Sequence, residues 1–173
     1  MDPFTCIICG ETYLGKSEPD RCPFCGANEI YLVPSAMHVA DGAVDLSEQS
    51  RKDCEDALKL ELKNMSFYRC AAEKAESKFT RAIFKRLSKQ EAEHAELLCT
   101  MMDIDEPSPP EGECFESDAE NFKEANGREK RAANFYLSVA ERAPEARVKE
   151  VFQAIAEIES EHLKLSNIYG GMI

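Results

Sequence analysis

An internal repeat constrains the fold of this chain more than any other feature. Residues 54–100 and 122–168 align with a constant offset of 68 positions and share twelve identical residues. Among them are residues able to bind metals or pack around a site: Glu61/Glu129, Tyr68/Tyr136, Phe84/Phe152, Glu91/Glu159 and His94/His162. Surface residues have no reason to recur at one offset while their neighbours diverge. Two copies of one half-site therefore predict a centre for two metal ions.

Each copy of the repeat predicts a pair of helices, because its apolar residues recur among charged ones at helical spacing. The four predicted helices run from about Leu46 to Glu76, Phe79 to Met102, Asp118 to Arg142, and Pro144 or Glu145 to Tyr169. The links within each pair are short and predict antiparallel hairpins. The stretch 103–117 holds three prolines, so it is a long connection that can cross the bundle. The predicted fold class is mainly α, with a ferritin-like four-helix bundle.

The repeated acidic and histidine residues have the spacing of a dinuclear site. Glu91 and His94 lie three residues apart and project from one helix face, and the second copy repeats this pair. One Glu from each of two helices plus Glu-x-x-His from each of the others is a recipe for di-iron or di-manganese centres. The predicted ligands are Glu61, Glu91, His94, Glu129, Glu159 and His162. Four buried carboxylates are expected to need metal ions for charge balance, and Tyr68 and Tyr136 lie two turns beyond Glu61 and Glu129, where their hydroxyls can bond a ligand carboxylate.

The N-terminal region carries a second metal motif. Two Cys-x-x-Cys pairs, each followed by Gly, supply Cys6, Cys9, Cys22 and Cys25. Four thiolates suit tetrahedral zinc or iron, and a metal is expected here rather than disulfides because no signal peptide precedes the motif. Short β-like runs at Phe4–Ile8 and Glu29–Val33 predict a small β/loop domain. The predicted domains are residues 1–35, a linker at 36–47, and the bundle at 48–173.

Composition excludes several classes of partner. The formal charge is −12, from 21 basic and 33 acidic residues, so nucleic acid and anionic membranes are not expected partners. No apolar stretch has the length of a membrane span, and we expect a cytoplasmic protein. The remaining cysteines, at 54, 70, 99 and 114, are interpreted as small buried apolar residues. His38 in the linker is interpreted as having no role in a site.

Together these motifs resemble rubrerythrins, with a rubredoxin-like domain placed before the ferritin-like bundle in the "reverse" arrangement. The resemblance runs through Cys9-Gly10, Tyr13, Gly15, Pro19, Cys22-Pro23 and Cys25-Gly26-Ala27, and through the repeated bundle residues. It implies one redox iron at the four cysteines, which zinc can replace on isolation, and a di-iron pair or other divalent ions at the helix ligands. It also implies reduction of hydrogen peroxide or oxygen with electrons from a donor protein. Catalytic roles are assigned to Glu61, Glu91, Glu129, Glu159, Tyr68 and Tyr136.

One position departs from the rubrerythrin pattern. Rubrerythrins typically carry an additional Glu one turn before the ligand of the third helix, where this chain has Asn126. Glu124 lies about 140° around the helix from Glu129 and is a poor substitute. A ferritin-like iron-binding protein or ferroxidase and a non-redox zinc-knuckle bundle therefore remain as alternatives. The resemblance also favours a homodimer in which the tetracysteine site of one subunit serves the di-iron site of the other.

Overall fold

The computed structural model describes residues 1–40 and 44–172. Its four long helices are α1 (Glu48–Lys74), α2 (Lys78–Met102), α3 (Asp118–Arg142) and α4 (Ala146–Gly170). They follow three short strands, β1 (Asp2–Cys6), β2 (Thr12–Gly15) and β3 (Leu32–Pro34). The predicted fold class is confirmed, since the four helices form a bundle preceded by a small strand region that carries four cysteines.

Serine side chains define the first turns of three helices. Ser47, Ser77 and Ser117 are the N-cap residues of α1, α2 and α3, and each accepts a hydrogen bond from the backbone N–H three residues later. The start of α4 differs from the prediction, because Glu145 is extended and Pro144 precedes the first turn. The Glu145 carboxylate instead accepts hydrogen bonds from the N-terminus of α1, which holds this residue outside the helix.

The two hairpins pack into a bundle whose centre is partly polar. Each helix packs mainly against its hairpin partner, α1 against α2 and α3 against α4. Aromatic residues fill the layers beside the centre, including a contact of 4.7 Å between the ring centroids of Phe84 and Phe122. The six predicted helix ligands lie between these layers and are buried.

The long connection at 103–117 lies against α1. Ser66 Oγ donates to the Pro110 carbonyl at 2.8 Å, and a Cβ on Gly112 would collide with the Ser66 carbonyl. A disulfide joins Cys70 of α1 to Cys114 of the connection. The prediction that all four scattered cysteines are buried thiols is therefore wrong for this pair, whose closeness depends on a crossover that has no local sequence signal. Cys54 and Cys99 are free and buried, as predicted.

The N-terminal strands form an antiparallel sheet in the order β2-β1-β3. Phe4 in β1 lies opposite Tyr13 on one side and Pro34 on the other. The predicted strand at Glu29–Val33 is only partly correct, because Glu29–Tyr31 is a 3-10 turn capped by the Asn28 side chain, which accepts from Ile30 N at 3.1 Å. Strand β2 was not predicted.

The division into residues 1–35, 36–47 and 48–173 stays a prediction. Residues 41–43 of the predicted linker and residue 173 of the predicted bundle domain lie outside the described residues. Among the helices that the structure describes, none combines the length and the apolar character needed to cross a membrane.

Candidate metal centre

The four N-terminal cysteines converge on one point. Cys6 Sγ lies 3.9 Å from Cys25 Sγ, and Cys9 Sγ lies 3.7 Å from Cys22 Sγ. These separations match the edge of about 3.8 Å expected for a tetrahedron of sulfurs bonded to a metal at 2.3 Å. Cys9 is partly exposed, whereas the other three cysteines are buried. The thiolate set therefore fits one tetrahedral zinc or iron ion, with Cys9 as its partly exposed ligand.

The two cysteine loops share one backbone conformation. In each loop the glycine after the second cysteine donates its N–H to the carbonyl of the first, at 2.8 Å for Gly10 and 3.0 Å for Gly26. Both glycines have positive φ, 81° and 91°, a conformation that side chains with a Cβ rarely adopt. The Cys-x-x-Cys-Gly spacing thus specifies the turn as well as the ligands.

Two arginines of the bundle bind these loops. Arg86 of α2 donates to the carbonyls of Pro23 and Phe24, the two residues between Cys22 and Cys25. Arg147 of α4 donates in the same way to the carbonyls of the two residues between Cys6 and Cys9, Ile7 at 2.6 Å and Ile8 at 3.2 Å. Each helix pair therefore holds one cysteine loop against the bundle.

The bundle brings the six predicted helix ligands together. Two overlapping groups form, and within each the candidate ligand atoms lie within 4.8 Å of one another. The groups are Glu61, Glu91, His94 and Glu159, and Glu91, Glu129, Glu159 and His162. Glu91 and Glu159 belong to both groups, so each would contribute to both metal positions. We call these six residues the carboxylate cluster.

The carboxylate cluster fits metal ions because many of its polar atoms have no partner. All six side chains are almost fully buried. Both oxygens of Glu91, one oxygen each of Glu61, Glu129 and Glu159, and Nδ1 of His94 make no hydrogen bond. Buried polar atoms in a folded protein are nearly always paired, and bound ions would satisfy this set. Whether these residues bind metal stays a prediction.

The repeated tyrosines bond carboxylates across the bundle. Tyr68 of α1 donates its hydroxyl to Glu129 of α3, and Tyr136 of α3 donates to Glu61 of α1. Both tyrosines are fully buried. Each hydroxyl therefore binds one oxygen of a carboxylate from the other hairpin. The second oxygen of that carboxylate has no hydrogen bond and is available to the cluster.

Burial and mutual contacts shift the pKa values of the four carboxyls of the carboxylate cluster in different directions. Burial, and then neighbouring carboxylates, raise the pKa of Glu61 and Glu129 well above the usual range. Burial acts in the same direction on Glu91 and Glu159, but their close contacts with the two histidines and the other carboxyls of the cluster outweigh it and lower their pKa. Glu61 and Glu129 are therefore the carboxyls most inclined to hold a proton when no ion is bound, and the expectation that this core needs metal ions for charge balance stays a prediction.

The same carboxylates also shift the pKa values of the two imidazoles. Burial lowers the pKa of both, but the adjacent carboxylates outweigh it, raising the pKa of His162 to about 9 and that of His94 well above its usual value. The adjacent carboxylates therefore favour protonation of both imidazoles when no ion is bound. Because metal ligands must be deprotonated, metal binding has to displace these protons, and metal affinity is expected to rise with pH.

The histidines also connect the cluster to its surroundings. Each Nδ1 faces the carboxylates, while each Nε2 points outward. His94 Nε2 donates to the Cys25 carbonyl at 3.0 Å, so one hydrogen bond links the cluster to a cysteine of the tetracysteine site in the same chain. A second subunit is therefore not required to bring the two sites together, and the predicted homodimer stays a prediction.

Three residues considered in the sequence lie outside the cluster. Asn126 Nδ2 donates to Asn167 Oδ1 of α4 at 2.6 Å, and Glu124 pairs with Arg128 at 2.9 Å. Neither supplies an additional ligand. His38 is half-buried, and its Nδ1 has no hydrogen-bond partner among the described residues. It lines a cavity of about 230 Å³ beside Cys9.

Sequence reasoning missed the residues that connect the two sites. Arg86 and Arg147 bind backbone carbonyls, and such partners have no sequence signature. Gln90 of α2 accepts from His162 Nε2 at 3.3 Å. Its only sequence signal is a break in the repeat, because the equivalent position in α4 is Ile158.

Comparisons with known proteins agree with this arrangement. The rubrerythrin family model matches residues 54–110, which cover α1, α2 and part of the long connection. Reverse rubrerythrin-1 of Clostridium acetobutylicum is 42% identical over 33 residues, 19% of this chain and 18% of that protein. The match thus spans about a fifth of the relative's length. No solved structure matches the chain. The predicted resemblance to rubrerythrins is thus confirmed by a family match over the first hairpin and by a partial match to a reverse rubrerythrin, and the tetracysteine site lies ahead of the four-helix bundle as predicted.

Proposed function

We propose that this protein is an iron-dependent oxidoreductase that reduces hydrogen peroxide, or oxygen, at the carboxylate cluster. The observation that carries the proposal is the hydrogen bond from His94 Nε2 to the Cys25 carbonyl, at 3.0 Å. This hydrogen bond joins the tetracysteine site, which suits a metal that transfers one electron, to the carboxylate cluster, which suits two metal ions. A protein that only stores iron has no need for the first group.

The residues present suit iron at both positions. Cys6, Cys9, Cys22 and Cys25 would hold one ion, and the carboxylate cluster would hold two. When bound there, the two irons would supply two electrons and Lewis acidity for converting hydrogen peroxide and two protons to two waters.

The chain's own residues prepare the site in three ways. The tyrosine hydroxyls orient Glu61 and Glu129 by fixing one oxygen of each. The pKa of Tyr136 is raised well above its usual value, mainly by burial, so this phenol remains a donor. The buried walls exclude bulk water, which strengthens every charge interaction inside. His94 keeps its Nε2 proton on the Cys25 carbonyl, so Nδ1 can present a lone pair.

The test follows the oxidation state of the tetracysteine iron. Reduced, iron-loaded protein would be mixed with hydrogen peroxide without oxygen, and the return of visible thiolate-to-iron absorption recorded. We expect fast oxidation in the wild type and oxidation near the background rate in Glu91→Gln, which keeps the tetracysteine site. Equal rates in the two proteins would show that the carboxylate cluster does not mediate peroxide reduction.

A ferroxidase is the second candidate, and the contacts of Asn126 favour it. This side chain is bound to Asn167 of α4, so no carboxylate lies one turn before Glu129 to exchange with a ligand. A ferroxidase would oxidise many equivalents of added ferrous ion with oxygen while catalase removes peroxide. The oxidoreductase proposal instead predicts slow turnover of ferrous ion and fast turnover of peroxide.

A further inference from the structure

The two histidines of the carboxylate cluster are equivalent in the repeat but are held differently. The Nδ1 atom of each faces carboxylates, with His162 Nδ1 at 3.3 Å from both Glu91 Oε1 and Glu159 Oε2. On the outer side, His94 Nε2 donates to a backbone carbonyl, that of Cys25. His162 Nε2 instead meets a side chain, Gln90 Oε1, at 3.3 Å. The two copies of the repeat thus differ in the group that binds the Nε2 atom of the histidine.

The Gln90 side chain lies between His162 and the second cysteine loop. A Cβ built on Gly26 would lie 2.5 Å from Gln90 Nε2 and 3.3 Å from Ile158 Cγ2. Gln90 and Ile158 are equivalent positions of the repeat, so Gly26 packs over both copies at once. Because Gly26 has no Cβ, the Gln90 amide fits between this loop and His162.

This contact decides which nitrogen of His162 can bind a metal. A neutral imidazole carries one proton, and it is a ligand only through the nitrogen without it. An acceptor at Nε2 keeps the proton there and leaves the Nδ1 lone pair toward the carboxylates. Gln90 Oε1 is that acceptor, and the Cys25 carbonyl has the same role for His94.

We infer that Gln90 is a positioning residue for the metal ion bound through His162, and that the two ions of the cluster are consequently inequivalent. The ion on the His94 side depends on the backbone of the tetracysteine loop. The ion on the His162 side depends on one side chain of α2. This inference rests on the proposed dinuclear site and concerns how its two positions differ.

Stepwise titration of the metal-free full chain with cobalt(II) tests the inference. Thiolate absorption distinguishes the tetracysteine site, and calorimetry with d–d absorption follows the two carboxylate ions. In Gln90→Met, which keeps the length of the side chain and removes the acceptor, we expect one carboxylate ion to bind about 10- to 100-fold more weakly. The other ion should keep its wild-type affinity.

Two further variants separate positioning from packing. Gln90→Glu retains an acceptor oxygen and should restore the affinity of the weakened ion. Gln153→Met, at an exposed position of α4, should change neither affinity. If Gln90→Met and Gln90→Glu both leave the two affinities unchanged, or if both weaken the two ions equally, the inference is wrong.

Failure of the proposed function would look different. In that case the wild-type carboxylate cluster would bind no cobalt, or one ion only, before any variant is made. Circular dichroism of each variant reports whether the bundle is folded. Should Gln90→Met unfold, Gln90→Glu against wild type still decides, since a lost or weakened ion despite the acceptor would contradict the inference.

Discussion

The hairpins α1–α2 and α3–α4 are alike at the cluster and differ almost everywhere else. Inside, the Tyr–Glu bonds are exchanged reciprocally, and the Phe–Tyr pairs have similar centroid separations, 5.1 Å for Phe67–Tyr68 and 5.4 Å for Phe135–Tyr136. Outside, only the first hairpin carries a disulfide to the long connection. The comparison teaches that the two copies are matched where side chains face the proposed ions.

The ends of the bundle show the same equivalence with the chemical roles reversed. Ser50 of α1 donates to the Glu145 carboxylate at 2.6 Å. The equivalent position of Ser50 is Asp118, whose carboxylate accepts from Thr80 Oγ1 at 2.6 Å. At one end the carboxylate precedes α4, and at the other it belongs to α3. Each end therefore has a hydrogen bond between the starts of two helices, but the helix that supplies the hydroxyl in one copy of the repeat supplies the carboxylate in the other.

The largest effects are expected where the two halves share ligands. Glu91 and Glu159 each belong to both ligand groups, so Glu91→Gln or Glu159→Gln removes an oxygen from both ions. Each variant should lower metal affinity by more than the roughly 100-fold upper range for outer contacts. Metal analysis after gel filtration measures this. Glu73→Gln and Glu141→Gln, an exposed repeated pair, are the controls. Full occupancy in either cluster variant would show that its carboxylate is not a ligand.

The tyrosines test whether the halves contribute equally. Tyr68→Phe leaves Glu129 without its donor, and Tyr136→Phe does the same to Glu61. Because ligand carboxylates depend on such partners, each change should reduce metal affinity by about 10- to 100-fold, and by similar amounts. Cobalt titration measures both, with Tyr169→Phe as control. Clearly unequal losses would extend the asymmetry of the outer contacts into the cluster itself.

Asn126 tests ligand exchange. Neither Asn126 nor the equivalent Leu58 can supply a carboxylate one turn before Glu129 or Glu61. We expect His94 and His162 to remain bound in crystals of both the reduced and the oxidised iron protein. Asn126→Glu should raise the rate of peroxide reduction or introduce redox-dependent movement, whereas Asn126→Asp, with its shorter side chain, should do so less. An oxidised wild-type crystal with a released histidine would contradict this prediction.

The smallest effects are expected at the ends of the bundle. Asp118 is buried, so Asp118→Asn should cost about 1.5–3 kcal/mol of unfolding free energy. Glu145 is more exposed, and Glu145→Gln should cost about 1 kcal/mol or less. Urea unfolding of the metal-free protein measures both. A larger loss in Glu145→Gln would mean that the two ends are not equivalent in the way described.

Acid unfolding sharpens the same comparison. Burial raises the pKa of Glu145, but hydrogen bonds from Ser50 and Ser47 outweigh it and lower the pKa from 4.5 to about 2. The folded-state pKa is depressed, so this stabilisation is present above about pH 4.5 and is lost as the pH falls toward 2. Glu145→Gln should remove that part of the pH dependence. An unchanged acid profile in the variant would show that Glu145 does not contribute it.

Sequence reasoning worked where the signal was local or repeated. The helices follow from periodicity, and the cluster residues follow from the constant offset. It failed where the interaction partner of a residue is distant in the sequence and is not identified by any motif. The Cys70–Cys114 disulfide depends on the path of the long connection, and the Arg86 and Arg147 contacts depend on where the small domain docks. In the sequence, Gln90 only differs from the equivalent residue of the second copy, and such a difference cannot be distinguished from ordinary divergence.

The reciprocal tyrosine bonds have a consequence for the origin of such a chain. One hairpin alone would carry a tyrosine without its carboxylate and a carboxylate without its tyrosine. Two identical hairpins related by a two-fold axis would complete each other, as in an isologous dimer. In such a dimer, a single loop packed across the two-fold axis must contact identical residues on both sides. Fusing the copies into one polypeptide removes that restriction, so Gln90 and Ile158 can differ beneath the same glycine.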